Sequence, residues 1–141
     1  MSSKKILVVE DDADVRLGYR ILLRANRYDT CFAADAASVL TVARKELPDL
    51  ILLDLGLPGG DGFVVLERLA NNMNLTHIPV IVVSARDHLN NAARALKAGA
   101  RAYVQKPWDD DELLALIRQE LDEVDHPESD PGRREKPVFR P

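Results

Sequence analysis

The fold is decided by the stretch Leu52-Leu53-Asp54-Leu55-Gly56-Leu57-Pro58-Gly59-Gly60-Asp61-Gly62. An apolar run over 49–53 ends in a single carboxylate at Asp54, and the glycines and proline that follow force the backbone to turn at once. A buried strand that delivers an acid to its carboxyl end places charge where open α/β sheets bind ligands. Because an Asp is also a common first residue of a turn, its meaning depends on what other strands bring to the same edge.

Length and composition predict one globular domain. The chain has 141 residues, of which 46% are hydrophobic and 30% charged, enough for a full core and a solvated surface. A net charge of −4 gives no electrostatic case for binding nucleic acid or an anionic membrane. The single cysteine excludes an intramolecular disulfide. Since no apolar run approaches membrane-spanning length, we expect a cytoplasmic protein.

Buried-strand runs alternate with helical periodicity along the chain. The predicted strands are about 6–9, 28–33, 49–53, 79–83 and 102–105, and the predicted helices are about 13–26, 35–47, 62–72, 89–98 and 109–124. Five such alternations require right-handed crossovers and predict an α/β, doubly wound parallel sheet. The flavodoxin-like order 2-1-3-4-5 is favoured, because the second strand alternates like an outer strand and the first, third and fourth look central.

The domain is expected to span 1–125. Residues 126–141 carry prolines and charges without apolar periodicity, so they are predicted to be a disordered tail or a linker stub.

Chemically active side chains follow four of the predicted strands. They are Glu10 and Asp11 after the first, Asp54 after the third, Ser84 at the end of the fourth and Lys106 after the fifth. Parallel strands end at one edge, and neighbouring carboxylates there repel unless they are protonated or bind a cation. Oxygen ligands alone favour Mg²⁺ before Ca²⁺.

The same set of side chains suits phosphoryl transfer. A lysine and a hydroxyl beside the acids can hold an anion, and an Asp carboxylate can itself be the nucleophile. Each residue alone also has an ordinary explanation as a helix cap, a turn residue or a solvated charge. Their joint occurrence at four strand ends favours a site.

The chain resembles a receiver domain of the two-component response regulators over about residues 4–125. The resemblance is carried by Ile6-Leu7-Val8-Val9-Glu10-Asp11-Asp12, Asp54-Leu55-Gly56-Leu57-Pro58-Gly59-Gly60-Asp61-Gly62, Ser84-Ala85 and Tyr103-Val104-Gln105-Lys106-Pro107. It implies that Asp54 accepts a phosphoryl group from the phosphohistidine of a histidine kinase and that Lys106 pairs with this group. It further implies that Ser84 and Tyr103 form a conformational switch.

The resemblance also implies a cofactor and partners. Mg²⁺ would be bound by Asp11, Asp54 and the backbone carbonyl of Gly56, with Glu10 acting through water. The protein would be a phosphoacceptor that slowly loses its own phosphate rather than a turnover enzyme. Its partners would be a sensor histidine kinase or phosphotransfer protein and a downstream protein that binds the face of the fourth helix, fifth strand and fifth helix. It would be a monomer or a phosphorylation-dependent dimer.

Three readings of the function stay open at this point. A stand-alone, chemotaxis-regulator-like receiver is the first, and a receiver belonging to a larger regulator, with 126–141 as its linker, is the second. Residues Arg101, Ala102 and Leu116 stand where the winged-helix transcription factors of this family carry an acidic pair and an arginine, which weakens the case for that class. The third is an Asp-nucleophile phosphohydrolase of the haloacid dehalogenase type, which wants a second Asp where Gly56 stands.

Overall fold

The computed structural model describes residues 3–59, 61–85, 88–122 and 138–140. Within these residues there are six strands and five helices. The strands are β1 (Lys5–Val9), β2 (Asp29–Ala33), β3 (Leu50–Leu53), β4 (Val80–Ser84), β5 (Ala102–Gln105) and β6 (Val138–Arg140). The helices are α1 (Ala13–Ala25), α2 (Val39–Glu46), α3 (Gly62–Asn71), α4 (His88–Lys97) and α5 (Asp110–Glu120).

All strands join one parallel sheet in the order β2-β1-β3-β4-β5-β6. The predicted order 2-1-3-4-5 with five helices is therefore confirmed. β1 lies between β2 and β3, so the chain reverses its direction of winding between β1 and β3. Open α/β sheets bind ligands at the carboxyl ends of strands beside such a reversal.

β6 was not anticipated by the sequence pattern, which predicts a disordered tail or linker stub over 126–141. Val138–Arg140 instead pairs in parallel with β5. Three residues between prolines are too short for apolar alternation to be recognised. The remainder of the predicted tail, 126–137 and 141, lies outside the described residues, and there the expectation stays a prediction.

Two apolar cores lie on opposite faces of the sheet. Successive strand residues point to opposite faces, so β1 sends Leu7 and Val9 to one core and Ile6 and Val8 to the other. The first core is closed by α2, α3 and α4, and the second by α1 and α5. Every residue of β3 and β4 is buried, as expected for central strands covered on both faces.

The turn after β3 is fixed by a close backbone contact. α3 begins at Gly62, where a Cβ atom would lie 2.6 Å from the Cα atom of Leu55. Asp61 caps this helix by accepting a hydrogen bond from the N–H of Phe63 at 2.8 Å. The glycine thus lets α3 start directly against the loop that follows Asp54.

Ion pairs join helix ends to strand starts at the amino edge of the sheet. Lys5 Nζ lies 3.1 Å from Glu46 Oε1, and its backbone N–H donates to Asp49 Oδ2 at 2.8 Å. Arg101 Nε lies 3.1 Å from Glu120 Oε1, at the end of α5. Opposite charges are therefore paired at this edge.

Candidate functional site

Three carboxylates meet at the carboxyl edge of the sheet. Glu10, Asp11 and Asp54 each offer an oxygen, and these oxygens lie within 4.8 Å of one another. Their backbone is held by neighbouring strands, because Asp54 donates its N–H to Val9 O at 3.1 Å and Glu10 donates to Ala33 O at 3.1 Å. The adjacency of β1 and β3 thus brings together the acids that the sequence placed at separate strand ends.

Lys106 joins the acids from the far side of β4. Its Nζ donates to Glu10 Oε1 and to Asp54 Oδ2, the second at 3.1 Å. The backbone N–H of Lys106 donates to Ser84 O at 3.0 Å, which ties the end of β5 to the end of β4. The peptide bond between Lys106 and Pro107 is cis. One ammonium group therefore bridges two of the three carboxylates.

Burial and hydrogen bonding shift the pKa values of Glu10 and Lys106. Glu10 is 2% exposed, and this burial raises the pKa of its carboxyl even though the bond from Lys106 and the N–H of Asp12 act to lower it. Burial lowers the pKa of Lys106, but its bonds to Glu10 and Asp54 outweigh that effect and leave the pKa raised. Lys106 therefore carries a positive charge at neutral pH.

The donor set fits a hard divalent cation. The three acids outnumber the single ammonium group that bridges two of them, and close carboxylates of like charge favour a bound cation. The donors are oxygens, and Mg²⁺ and Ca²⁺ take oxygen ligands. Asp11 and Gly56 are exposed, so this side of the cluster is open to solvent.

The Asp54 carboxylate is oriented through both of its oxygens. The backbone N–H of Gly56 donates to Oδ1 at 2.9 Å, while Lys106 donates to Oδ2. The bond from Gly56 needs only the main chain. The carboxylate is thus held before any ligand reaches it.

Arg16 is a part of the site that the sequence analysis missed. Its Nη1 donates to the backbone carbonyls of Glu10 and Asp11, both at 2.9 Å. Asp12 fixes the same turn by accepting bonds at the start of α1 from Asp14 N and Val15 N, at 2.8 and 3.1 Å. The turn that presents Asp11 is therefore tied to the first helix by two side chains.

Ser84 and Tyr103 lie on neighbouring strands and are both fully buried. Tyr103 pairs in register with Val82, two residues before Ser84, and packs in the core closed by α2, α3 and α4. In this structure the tyrosine side chain is therefore buried in the core and not at the surface.

An apolar groove runs along α1. It has a volume of about 820 Å³ and is lined by Val15, Gly18, Ile21, Leu22, Ala25, Ala85, Lys106, Pro107, Trp108 and Asp110. Trp108 stacks on Tyr19 with ring centroids 4.4 Å apart. Ile21 is 62% exposed on the same helix. Lys106 thus both lines this groove and binds two of the acids.

Comparison with known proteins assigns the family. The family model of the response regulator receiver domain matches residues 6–118. The chain belongs to this family. Receiver domains are signalling modules of two-component systems, and the flavodoxin-like fold described above is theirs.

Curated relatives support the assignment. The chain is 40% identical over 117 residues to the response regulator PleD of Caulobacter vibrioides, covering 82% of this chain and 26% of PleD. It is 36% identical over 118 residues to the DNA-binding response regulator MtrA of Mycobacterium tuberculosis, covering 84% of this chain and 50% of MtrA. The chain thus spans between about a quarter and a half of the length of these relatives.

Solved receiver domains share the fold. A CheY-like receiver domain protein from Methanospirillum hungatei superposes with a TM-score of 0.80 and 33% identity, covering 86% of this chain and 96% of that chain. The BeF3-activated receiver domain of RstA from Klebsiella pneumoniae gives 0.79 and 30%, covering 84% and 98%. Among the described helices of the present protein, none is long and apolar enough to cross a membrane.

Proposed function

We propose that Asp54 is the phosphoacceptor of this receiver domain and that it takes its phosphoryl group from the phosphohistidine of a sensor histidine kinase or phosphotransfer protein. A bond forms between an Asp54 carboxylate oxygen and phosphorus, while the bond from phosphorus to the imidazole nitrogen breaks and leaves its electron pair on that nitrogen. The observation that carries the proposal is the ammonium group of Lys106, 3.1 Å from Asp54 Oδ2.

Asp11, Asp54 and the carbonyl of Gly56 would hold Mg²⁺, with Glu10 assisting through water. This ion would neutralise charge that develops on the phosphoryl oxygens. The clustering of the three acids within 4.8 Å supports this assignment. Two second-sphere groups act on the ligands directly, since Arg16 holds the turn of Asp11 and Gly56 N–H holds the Asp54 carboxylate.

Lys106 and Ser84 would receive the phosphoryl group. Lys106 already reaches the acceptor carboxylate, so it can pair with a phosphoryl oxygen with little movement. Ser84 ends β4, next to Lys106, and its hydroxyl would turn to donate to another oxygen. Tyr103, already buried on the neighbouring strand, would be held in this inward position when Ser84 moves.

The signal would leave through the face of α4, β5 and α5. Tyr103 lies on β5 and packs in the core that α4 closes, so a change in its position would alter that face. A downstream protein is the expected partner there, and the protein would be a monomer or a phosphorylation-dependent dimer. The module would act as a slowly self-dephosphorylating phosphoacceptor and not as a turnover enzyme.

The relatives favour a second form of the same function. PleD and MtrA are both longer than the region they share with this chain. The receiver would then be one part of a larger regulator, and its downstream partner would be an output domain. The phosphohydrolase reading has no comparable support, because Gly56 occupies the position of its second acid.

The proposal is tested by mass spectrometry after incubation with acetyl phosphate and Mg²⁺. We expect one added phosphate on the wild type, located at Asp54, and none in Asp54→Asn. Asp61→Asn is the matched control, since this acid caps α3 seven residues away and an asparagine keeps the cap. An adduct that persists in Asp54→Asn, or no adduct on the wild type, would overturn the proposal.

A further inference from the structure

β5 has the composition of an interior strand although it ends the predicted five-stranded order. Its sequence, Ala-Tyr-Val-Gln, carries no charge, and Ala102, Tyr103 and Val104 are buried. β2, at the opposite side of the sheet, starts with the exposed Asp29 and is only partly buried until Ala33. An uncharged outer strand is a template for pairing with another chain, because its outward N–H and C=O groups are unpaired.

The chain supplies its own partner for this strand. In β6, Val138 pairs with Ala102, Phe139 with Tyr103 and Arg140 with Val104. The intervening helix α5 runs back from the carboxyl edge to the amino edge, so β6 can start beside the first residue of β5. This is the βαβ arrangement that parallel strands require.

We propose that the outer side of β5 is a strand-docking surface that Val138–Arg140 occupies in cis, and that this strand prevents a second copy of the chain from pairing there. The inference goes beyond the phosphoacceptor function and does not depend on it. Because β6 belongs to the same chain as β5, its pairing is intramolecular and does not weaken on dilution. A second copy at micromolar concentration therefore competes poorly for the same backbone groups.

The first test uses the unmodified full chain and residue-resolved hydrogen exchange by NMR. Successive backbone amides of a strand point to opposite sides. β4 alone can therefore protect only every second amide of β5 from exchange. With β6 in place, the amides of 102–104 that point toward β4 and those that point toward β6 are both expected to exchange slowly. If only every second amide of β5 were protected in the wild-type protein, the proposal would be overturned.

Proline variants then remove the pairing. Phe139→Pro removes the backbone N–H at the middle of β6, and the double variant Val138→Pro/Arg140→Pro removes the two on either side of it. Since successive amides of a strand point to opposite sides, either the single or the double variant must lose hydrogen bonds to β5. In that variant the outward amides of β5 should exchange roughly tenfold faster or more. Phe139→Val, which keeps the N–H and suits a strand, is the control.

Exchange at β1 and β3 serves as the internal check of folding, since these strands are central and should stay protected in every variant. Unchanged exchange at β5 in both proline variants would contradict the docking of β6.

Whether β6 prevents self-association of the chain is measured by sedimentation over a concentration series. The variant with faster exchange at β5 is expected to self-associate at lower concentration than the wild type and Phe139→Val. Equal self-association of the three proteins would overturn the claim that β6 excludes a second copy.

Discussion

At the scale of single residues, Arg16 shows how a site depends on groups that touch no ligand. Its guanidinium contacts the carbonyls of Glu10 and Asp11, and so restrains the turn that carries a proposed metal ligand. Loss of such a supporting contact weakens metal sites because the ligand must be ordered when the ion binds.

Arg16→Met is expected to weaken Mg²⁺ binding about tenfold. Binding can be followed by the fluorescence of Trp108, the single tryptophan, which lies two residues after Lys106. Arg20→Met removes an exposed arginine one turn further along α1 and should leave the affinity unchanged. Equal affinities of Arg16→Met and the wild type would show that the two carbonyl bonds do not order the turn.

The sequence located the acids but not this arginine, for a physical reason. Asp54 and Lys106 end buried strands, and a parallel sheet must bring such ends to one edge. The reach of Arg16 back over the β1–α1 turn depends on the path of that turn, and helical periodicity carries no information about it. Its position in the first turns of α1, just after the acids, was the available signal.

At the scale of elements, the start of α3 is set by how closely it approaches the loop after β3. A Cβ on Gly62 would lie 2.6 Å from Leu55 Cα and 2.8 Å from Leu55 O, so backbone would have to move. No flexible side chain can give way at this contact.

Gly62→Ala is therefore expected to lower the free energy of unfolding by about 1–3 kcal/mol, as overpacking does. Gly18→Ala is the matched control, because a Cβ there meets nothing within 4 Å in the middle of α1. This change should instead raise stability by about 0.5–1 kcal/mol. Urea denaturation measures both, and a neutral Gly62→Ala would mean that the loop relaxes freely.

Elements were predictable where they are long and periodic. The strands that lead to Asp54 and Ser84 are continuous apolar runs, so their identity and their central place in the sheet could be predicted. The full strand order could not be read from periodicity and is favoured only because the second strand alternates like an outer strand. β6 could not be found in this way, because the three residues Val138–Arg140 are too few for apolar alternation to be recognised.

At the scale of the whole molecule, carboxylates of like charge lie close together at the carboxyl edge of the sheet. Glu10, Asp11 and Asp54 lie together with a single bridging ammonium group, so like charges oppose one another in the folded state. The folded state should therefore become more stable when the charge of Asp11 is removed, because Lys106 bridges the other two acids.

Asp11→Asn is expected to raise the free energy of unfolding by about 0.5–1 kcal/mol when EDTA is present, since Asp11 is exposed and solvent screens much of the repulsion. Asp29→Asn, an exposed acid near the positive Lys5, should give no gain. Urea denaturation in EDTA compares the variants. A destabilised Asp11→Asn would mean that this carboxylate is held by favourable contacts rather than repelled.

The ion pairs at the amino edge lie a full strand length from these acids. Lys5 with Glu46 and Arg101 with Glu120 tie helices to strands at the edge opposite Asp54 and Lys106. This separation predicts that substitutions at the amino edge change stability with little effect on the carboxylates at the carboxyl edge.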